Sequence, residues 1–257
     1  RWSAGLGLPV LPLPDEAGHL AEAMTSAVRD GSAKGRVVAL VGASGGLGVS
    51  TLVASLALTA ADRRRGAAAV DLAQGGGGLD LLVGAEATAG VRWPDLGHAR
   101  GELGDLIGAL PAVANARFLA QGRDASEAPP DAAVSAAVGA LRRAAALVVV
   151  DAGREPPPVE CDQVLLVVGA DVRSVASARM LADARGLTPS GLVVRQGPGR
   201  AIPAEVIARS LGVSCLGTIG HDKAVPRLAE LGMLPIASAA RRYRRQVAAL
   251  VKEITDA

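Results

Sequence analysis

The amino-acid sequence predicts an α/β fold: a doubly wound, mostly parallel sheet with helices on both faces. Three observations carry that expectation. Short, continuous apolar runs recur along the chain, as strands buried on both faces require. Stretches of helical length separate them, as parallel strands need crossover connections. The first apolar run passes straight into a glycine-rich turn that opens a helix.

Taken in order, Val37-Val38-Ala39-Leu40-Val41 is the first strand of the domain, and the loop Gly42-Ala43-Ser44-Gly45-Gly46-Leu47-Gly48-Val49-Ser50-Thr51 follows at once. A helix is expected from residue 50 to about residue 64. Ala67-Ala68-Ala69-Val70-Asp71 is a second strand, closed by an acid. A glycine-rich stretch over 74–78 leads into 79–84. Residues 85–130 are less regular. They hold Trp93-Pro94-Asp95-Leu96, a helical stretch near 102–110, a strand at Arg117-Phe118-Leu119-Ala120 and a loop at 126–130. A helix over 131–145 then feeds Leu147-Val148-Val149-Val150-Asp151, a strand that again ends in an acid. Strands at 164–168, 191–194 and 213–219 alternate with helices at 172–184 and 203–211. Helices around 222–231 and over 237–254 close the chain. Residues 1–34 stand apart as a leading segment and linker: a Pro-rich apolar run at 8–13, then a helix over 15–30 with Leu20, Ala23, Met24 and Val28 on one face. The main domain is expected over residues 35–257.

Composition narrows the function classes. Hydrophobic residues make up 50% of the chain, enough for a full core, and aromatics only 2%, so Val, Leu, Ile and Ala must build it. A formal net charge of +2 is too small to argue for nucleic acid by itself. Cys161 and Cys215 make neither a disulfide framework nor a CxxC site, and His19, His98 and His221 are scattered rather than spaced as metal ligands. No apolar run reaches the roughly 18–20 residues of a membrane span. The N-terminus, Arg1-Trp2-Ser3, has neither a signal peptide's layout nor an initiator Met, as a piece of a longer protein would. The expected location is the cytoplasm, including the inner face of the membrane.

The glycine turn is the first feature with chemistry. Glycines let the backbone approach a phosphate, and free N–H groups at a helix start point at it. Two families share such a turn. Gly42-x-x-x-Gly46-x-Gly48, with Asp71 placed as a ribose-binding acid, resembles the Rossmann loop of short-chain dehydrogenases and keeps an NAD(P)-dependent oxidoreductase open as an alternative. That family also needs a Tyr-x-x-x-Lys pair. The only tyrosine is Tyr243, and Val247 stands where the lysine belongs.

Ser44-Gly45-Gly46-Leu47-Gly48-Val49-Ser50 resembles the deviant Walker loop of the MinD/ParA P-loop family, which reads Lys-Gly-Gly-x-Gly-Lys-Ser/Thr. Val70-Asp71 with the following glycine-rich stretch resembles that family's first switch, and Val148-Val149-Val150-Asp151 its Walker B strand. The likeness covers about residues 36–250. Within the family, Gly77-Gly78-Leu79-Asp80-Leu81-Leu82-Val83-Gly84 and Val91-Arg92-Trp93-Pro94-Asp95-Leu96 are similar to the actinobacterial septum site-determining group, related to the CpaE/TadZ proteins of pilus assembly. In that group a receiver-like domain precedes the ATPase, so residues 8–30 would be its last strand and helix.

The resemblance implies ATP or ADP with Mg²⁺ as cofactor. The backbone of Gly45, Gly46, Leu47, Gly48, Val49, Ser50 and Thr51 would hold phosphates, Ser50 would ligate the metal and Asp151 would hold it through water. Asp71 would position a water or touch the metal. Arg195 follows the late strand, where the family often places an adenine-reading Asn, and would stack on a purine. Both lysines of the loop are missing, replaced by Ser44 and Val49. Charge on the transferring phosphoryl group is worth roughly 10³–10⁵ in rate, so little or no ATP hydrolysis is expected from the chain alone. The implied role is a regulatory or positioning protein with partners in division or in pilus and secretion machinery. An ATPase completed by homodimerisation is the alternative.

Arg241-Arg242-Tyr243-Arg244-Arg245 opens the last helix, and Tyr243, Val247, Leu250, Val251 and Ile254 form an apolar stripe along it. MinD-like proteins use such tails on membranes and ParA-like proteins use basic patches on DNA. The stripe lacks Phe and Trp, which favours a helix docked on the sheet with a solvated arginine edge over contact with a membrane surface or DNA.

Overall fold

The computed structural model describes residues 35–61, 66–123 and 128–256. The leading segment, and the ends of two expected elements near residues 64 and 126, lie outside them. The strands are β1 (Arg36–Gly42), β2 (Ala67–Asp71), β3 (Ala112–Val113), β4 (Ala116–Leu119), β5 (Leu147–Asp151), β6 (Gln163–Gly169), β7 (Gly191–Arg195) and β8 (Cys215–Ile219). The helices are α1 (Val49–Ala60), α2 (Leu79–Leu82), α3 (Leu106–Ala109), α4 (Asp131–Ala144), α5 (Val172–Arg185), α6 (Ala204–Leu211), α7 (Ala224–Glu230) and α8 (Arg241–Asp256), with a 3₁₀ turn at Trp93–Leu96.

The sheet order is β3-β4-β2-β5-β1-β6-β7-β8. All pairings are parallel except the short edge pair β3–β4. The α/β, doubly wound expectation therefore holds. The Rossmann alternative does not fit: β5 lies between β1 and β2, whereas a Rossmann sheet pairs those two directly.

Alternate residues of the central strands face two cores. Val38, Leu40, Ala67, Ala69, Leu147 and Val149 pack with Leu52, Val53 and Leu56 of α1 and with the stripe of α8. Val37, Ala39, Ala68, Val70, Val148 and Val150 pack with Val134, Val138 and Leu141 of α4, and with Trp93. This two-residue alternation is what a strand imposes, and filling both sides explains why these strands read as unbroken apolar runs.

Three boundaries differ from the sequence reading. The helical stretch near 102–110 shrinks to α3, because Gly101 takes φ +67 and Asp105 caps a new start by accepting from Gly108 N at 3.2 Å. The strand expected from 213 begins at Cys215: Gly212 is left-handed at φ +68, and Val213 N still donates to Ala208 O of the preceding helix. The last helix begins at Arg241, after a turn in which Ala240 N donates to Ala237 O at 2.9 Å.

The stripe of α8 is buried along its whole length, with Tyr243, Val247, Leu250, Val251 and Ile254 each at most 2% exposed. Burying each large side chain is worth roughly 1.5–3 kcal/mol, so the helix belongs to the fold. The stripe is docked on the sheet, as expected, and is not presented to a membrane surface. Arg241, Arg242, Arg244 and Arg245 remain exposed. No helix among the described residues is long and apolar enough to cross a membrane.

The chain leaves β1 through α1 to reach β2 on one side of the sheet. It leaves β6 through α5 to reach β7 on the other. The strand order thus reverses direction between β1 and β6, and such a switch point opens a crevice at the strands' C-terminal ends.

Candidate functional site

The glycine loop lies in that crevice. Gly42 N donates to Gly153 O at 2.7 Å and Ala43 N to Val167 O at 2.9 Å, tying the loop's base to both neighbouring strand ends. Leu47, 1% exposed, anchors the middle of the loop in the core. Gly46 and Gly48 both sit at φ +72, a conformation that side chains with a Cβ rarely take. A Cβ built on Gly45 or Gly46 would meet nothing within 4 Å, so open space lies above the loop. Gly48 is the N-cap of α1 and offers no side-chain cap, and the first turn carries no acid. The helix's first amides are therefore free to bind an anion.

Two clefts meet at this helix start. One, of about 750 Å³, runs along the ends of β6, β7 and β8 and is lined by Gly48, Thr51, Arg195, Gly197, Val225 and Tyr243 among others. The other, of about 690 Å³, lies on the opposite side and is lined by Ser50, Asp71, Gly77, Leu81, Glu86 and Glu230 among others. Thr51 and Ser50, neighbours in sequence, thus face different clefts.

Asp71 and Asp151 end adjacent strands and are paired in register. They are 3% and 1% exposed. Asp71 accepts from Ala73 N at 3.1 Å and from Leu79 N at 3.0 Å. Asp151 Oδ1 accepts from Gly153 N at 3.0 Å, while its Oδ2 is buried without a hydrogen-bond partner. Burial, and then the charge of Asp151, push the Asp71 carboxyl up from 3.8 to about 7. Burial also raises Asp151, with the Ser50 hydroxyl pulling the other way. Two close carboxyls with an orphaned oxygen beside a hydroxyl suit a divalent cation. Among the described residues no three His, Cys, Asp or Glu side chains are placed to hold a metal ion together, so such an ion would need ligand oxygens to complete its shell.

This pair sets a pH dependence. The folded-state value of Asp71 lies above its unfolded value, so the folded chain holds a proton that the unfolded chain has already released. Stability is therefore fully present below about pH 4 and declines as pH rises through about 7. Thermal melts at pH 5.5 and pH 8 should give the lower midpoint at pH 8. Asp71→Asn should flatten that difference. A midpoint that rises over this interval would contradict the assignment.

Arg195 lies at the end of β7, with its guanidinium carbon 5.9 Å from the centroid of the Tyr243 ring. That ring is fixed from α8, its hydroxyl 3.0 Å from Ser55 Oγ of α1. One guanidinium nitrogen, Nη1, is buried with no hydrogen-bond partner. The other, Nη2, lies 3.5 Å from where a Cβ on Gly48 would stand. Within the protein itself the guanidinium packs on the Tyr243 ring. Arg36 opens β1, at the far end of the strand from the loop, whereas Arg195 is brought beside Gly48.

The sequence reading also missed Asp80. It is fully buried and pairs with Arg92 Nε at 3.0 Å and Arg123 Nη2 at 2.6 Å. Arg92 spends its other donors on the carbonyls of Gly90, Ala85, Glu86 and Thr88. Next to it, Trp93 Nε1 donates to Asp71 O at 2.6 Å. The two phrases at 77–84 and 91–96 are thus one clasp that holds a wall of the second cleft and the end of β2. Gly84, at φ +69, lets this wall approach the backbone of Gly232, whose oxygen would lie 2.4 Å from an added Cβ.

No protein-family model matches the chain. An uncharacterized protein of Mycobacterium tuberculosis, Rv3660c in strain H37Rv and MT3760 in strain CDC 1551, is 36% identical over 249 residues, which cover 89% of this chain and 68% of the relative. The chain belongs to the family of Rv3660c. This chain has the fold of the MinD/ParA ATPases. A ParA family ATPase from Chlorobium tepidum superposes with a TM-score of 0.72 at 16% identity, over 85% of this chain and 98% of that one. The septum site-determining protein MinD of Pyrococcus horikoshii, complexed with Mg-ADP, gives 0.68 at 18% identity, over 85% and 95%.

Proposed function

We propose that this member of the Rv3660c family is a nucleotide-binding protein with little or no ATP hydrolysis of its own. It acts as a regulator or positioning factor through protein partners in septum-site selection or in pilus and secretion assembly. The observation that carries this reading is an open glycine cradle on an uncapped helix start, with non-basic residues at both lysine positions of the loop. The backbone of Gly45, Gly46, Leu47, Gly48, Val49, Ser50 and Thr51 would take the phosphates. Ser50 and, through water, Asp151 would hold Mg²⁺. Asp71 would face the same ion. The free Oδ2 of Asp151 beside Ser50 supports that placement. Bound Mg²⁺ would supply the positive charge that the two carboxylates and the phosphates lack. The division or pilus role rests on the resemblance of the phrases at 77–84 and 91–96, and a cytoplasmic location, including the inner face of the membrane, goes with it.

Titration calorimetry of the purified chain with ADP or ATP and Mg²⁺ tests the binding half. Saturable binding at one site per chain is expected. Heats no larger than those of dilution, with both nucleotides, would leave a scaffold without a ligand and reject the reading.

A further inference from the structure

The two clefts have opposite electrical character. Ser50, Asp71, Glu86 and Glu230 line the second, with Asp151 beside Asp71 in register, and among the described residues no Lys, Arg or His lines it; Arg92 and Arg123, which border it, are paired with Asp80. Any group that extends beyond Ser50 therefore meets carboxylates. The first cleft holds Arg195, Arg173 and Arg200. Arg200 is engaged by Asp171 at 3.2 Å. Arg195 is not: among the described residues no carboxylate pairs with it, and the charged or titratable groups acting on it are Tyr243 and Arg200. A desolvated guanidinium without a counter-ion, next to an uncapped helix start, is incomplete without an anion.

We propose that Arg195 supplies, from β7, the phosphate-facing charge that the loop lacks at position 49, and that the site so formed takes a nucleoside diphosphate in preference to a triphosphate. The inference rests on the nucleotide reading above. The geometry is prearranged: Tyr243, fixed to α1 through Ser55, packs on the guanidinium. A diphosphate held by the free amides of α1 would lie beside Gly48, which Arg195 Nη2 approaches. A third phosphate reaching past Ser50 would enter the acidic cleft, where like charge would repel it.

The test is a calorimetric titration of the full chain with ADP and with ATP, each without and with Mg²⁺. It is repeated on Arg195→Met, which keeps length and loses charge, and on Arg195→Met combined with Val49→Lys. The wild type should bind ADP at least tenfold more tightly than ATP without Mg²⁺. Arg195→Met should weaken ADP at least tenfold while far-UV circular dichroism and the melting midpoint show a folded chain. Restoring a lysine at position 49 should recover most of that loss. Equal ADP affinity in wild type and a folded Arg195→Met overturns the role of Arg195 and leaves the nucleotide reading standing. ATP bound as tightly as ADP overturns the diphosphate preference. No nucleotide bound by the wild type overturns the reading beneath both.

Discussion

Replacing Asp80 with alanine is expected to destabilise the protein by about 3–5 kcal/mol, measured by chemical denaturation at pH 7. The cost comes less from the lost pair than from what is left behind. The Arg92 side chain is only 17% exposed, and without Asp80 its charge is buried unpaired. Arg123, at 42% exposed, can turn to water and adds little. A double variant, Asp80→Leu with Arg92→Met, removes both charges and should cost less than the sum of the single changes, as coupled partners do. Hydrogen exchange should localise the loss to residues 77–92, the clasp along the second cleft. If Asp80→Ala leaves stability within about 0.5 kcal/mol of wild type, the clasp is not what holds that wall.

Introducing the lysine that the loop lacks is the second large effect. Val49 is the first residue of α1, and its Cγ2 folds back to 3.0 Å from where a Cβ on Gly42 would stand. A lysine there would start along the same path over the loop. One added charge-assisted hydrogen bond to phosphate is worth about 1.5–3 kcal/mol, so Val49→Lys should tighten both ADP and ATP roughly 10–100-fold. The same ammonium would lie near Asp71 and Asp151. It should lower the Asp71 carboxyl toward its ordinary range and shrink the loss of stability between about pH 4 and pH 7. Tighter nucleotide with an unchanged pH profile would mean that the lysine reaches the phosphates but not the carboxyl pair. Unchanged affinity would mean that the loop is not a phosphate site.

The parts of this site that could be read from the sequence were those whose signal is local. The apolar runs announced β1, β2, β5, β6 and β7 because each is buried on both faces. The glycines announced the loop because only they take φ +72 at Gly46 and Gly48. Asp71 and Asp151 were legible as acids closing strands, but their adjacency was not. It depends on β5 lying between β1 and β2 and on the register that pairs them. The place of Arg195 beside the loop was hidden for the same reason. Its approach to Gly48 is set by the order β1-β6-β7 and by parallel pairing that brings all three strand ends to one edge. The strand β3, two residues long, is too short to carry a period of its own. The phrases at 77–84 and 91–96 stood out as a family likeness, yet what they encode is an ion pair between Asp80 and Arg92, which the residue pattern does not display. The last helix was legible in its docking though not in its role. Its stripe announced a helix docked on the sheet, but only the position of Tyr243 beside Arg195 shows what it contributes to the site.

The site is expected to bind nucleotide without turning it over. The most direct test combines saturation with Mg²⁺–nucleotide and a phosphate-release assay on the same purified chain, run across a range of protein concentrations. Saturable binding with release no faster than the protein-free control, at every concentration, is the expected result. Release that climbs with protein concentration would mean that a second copy completes an active ATPase, and would contradict it.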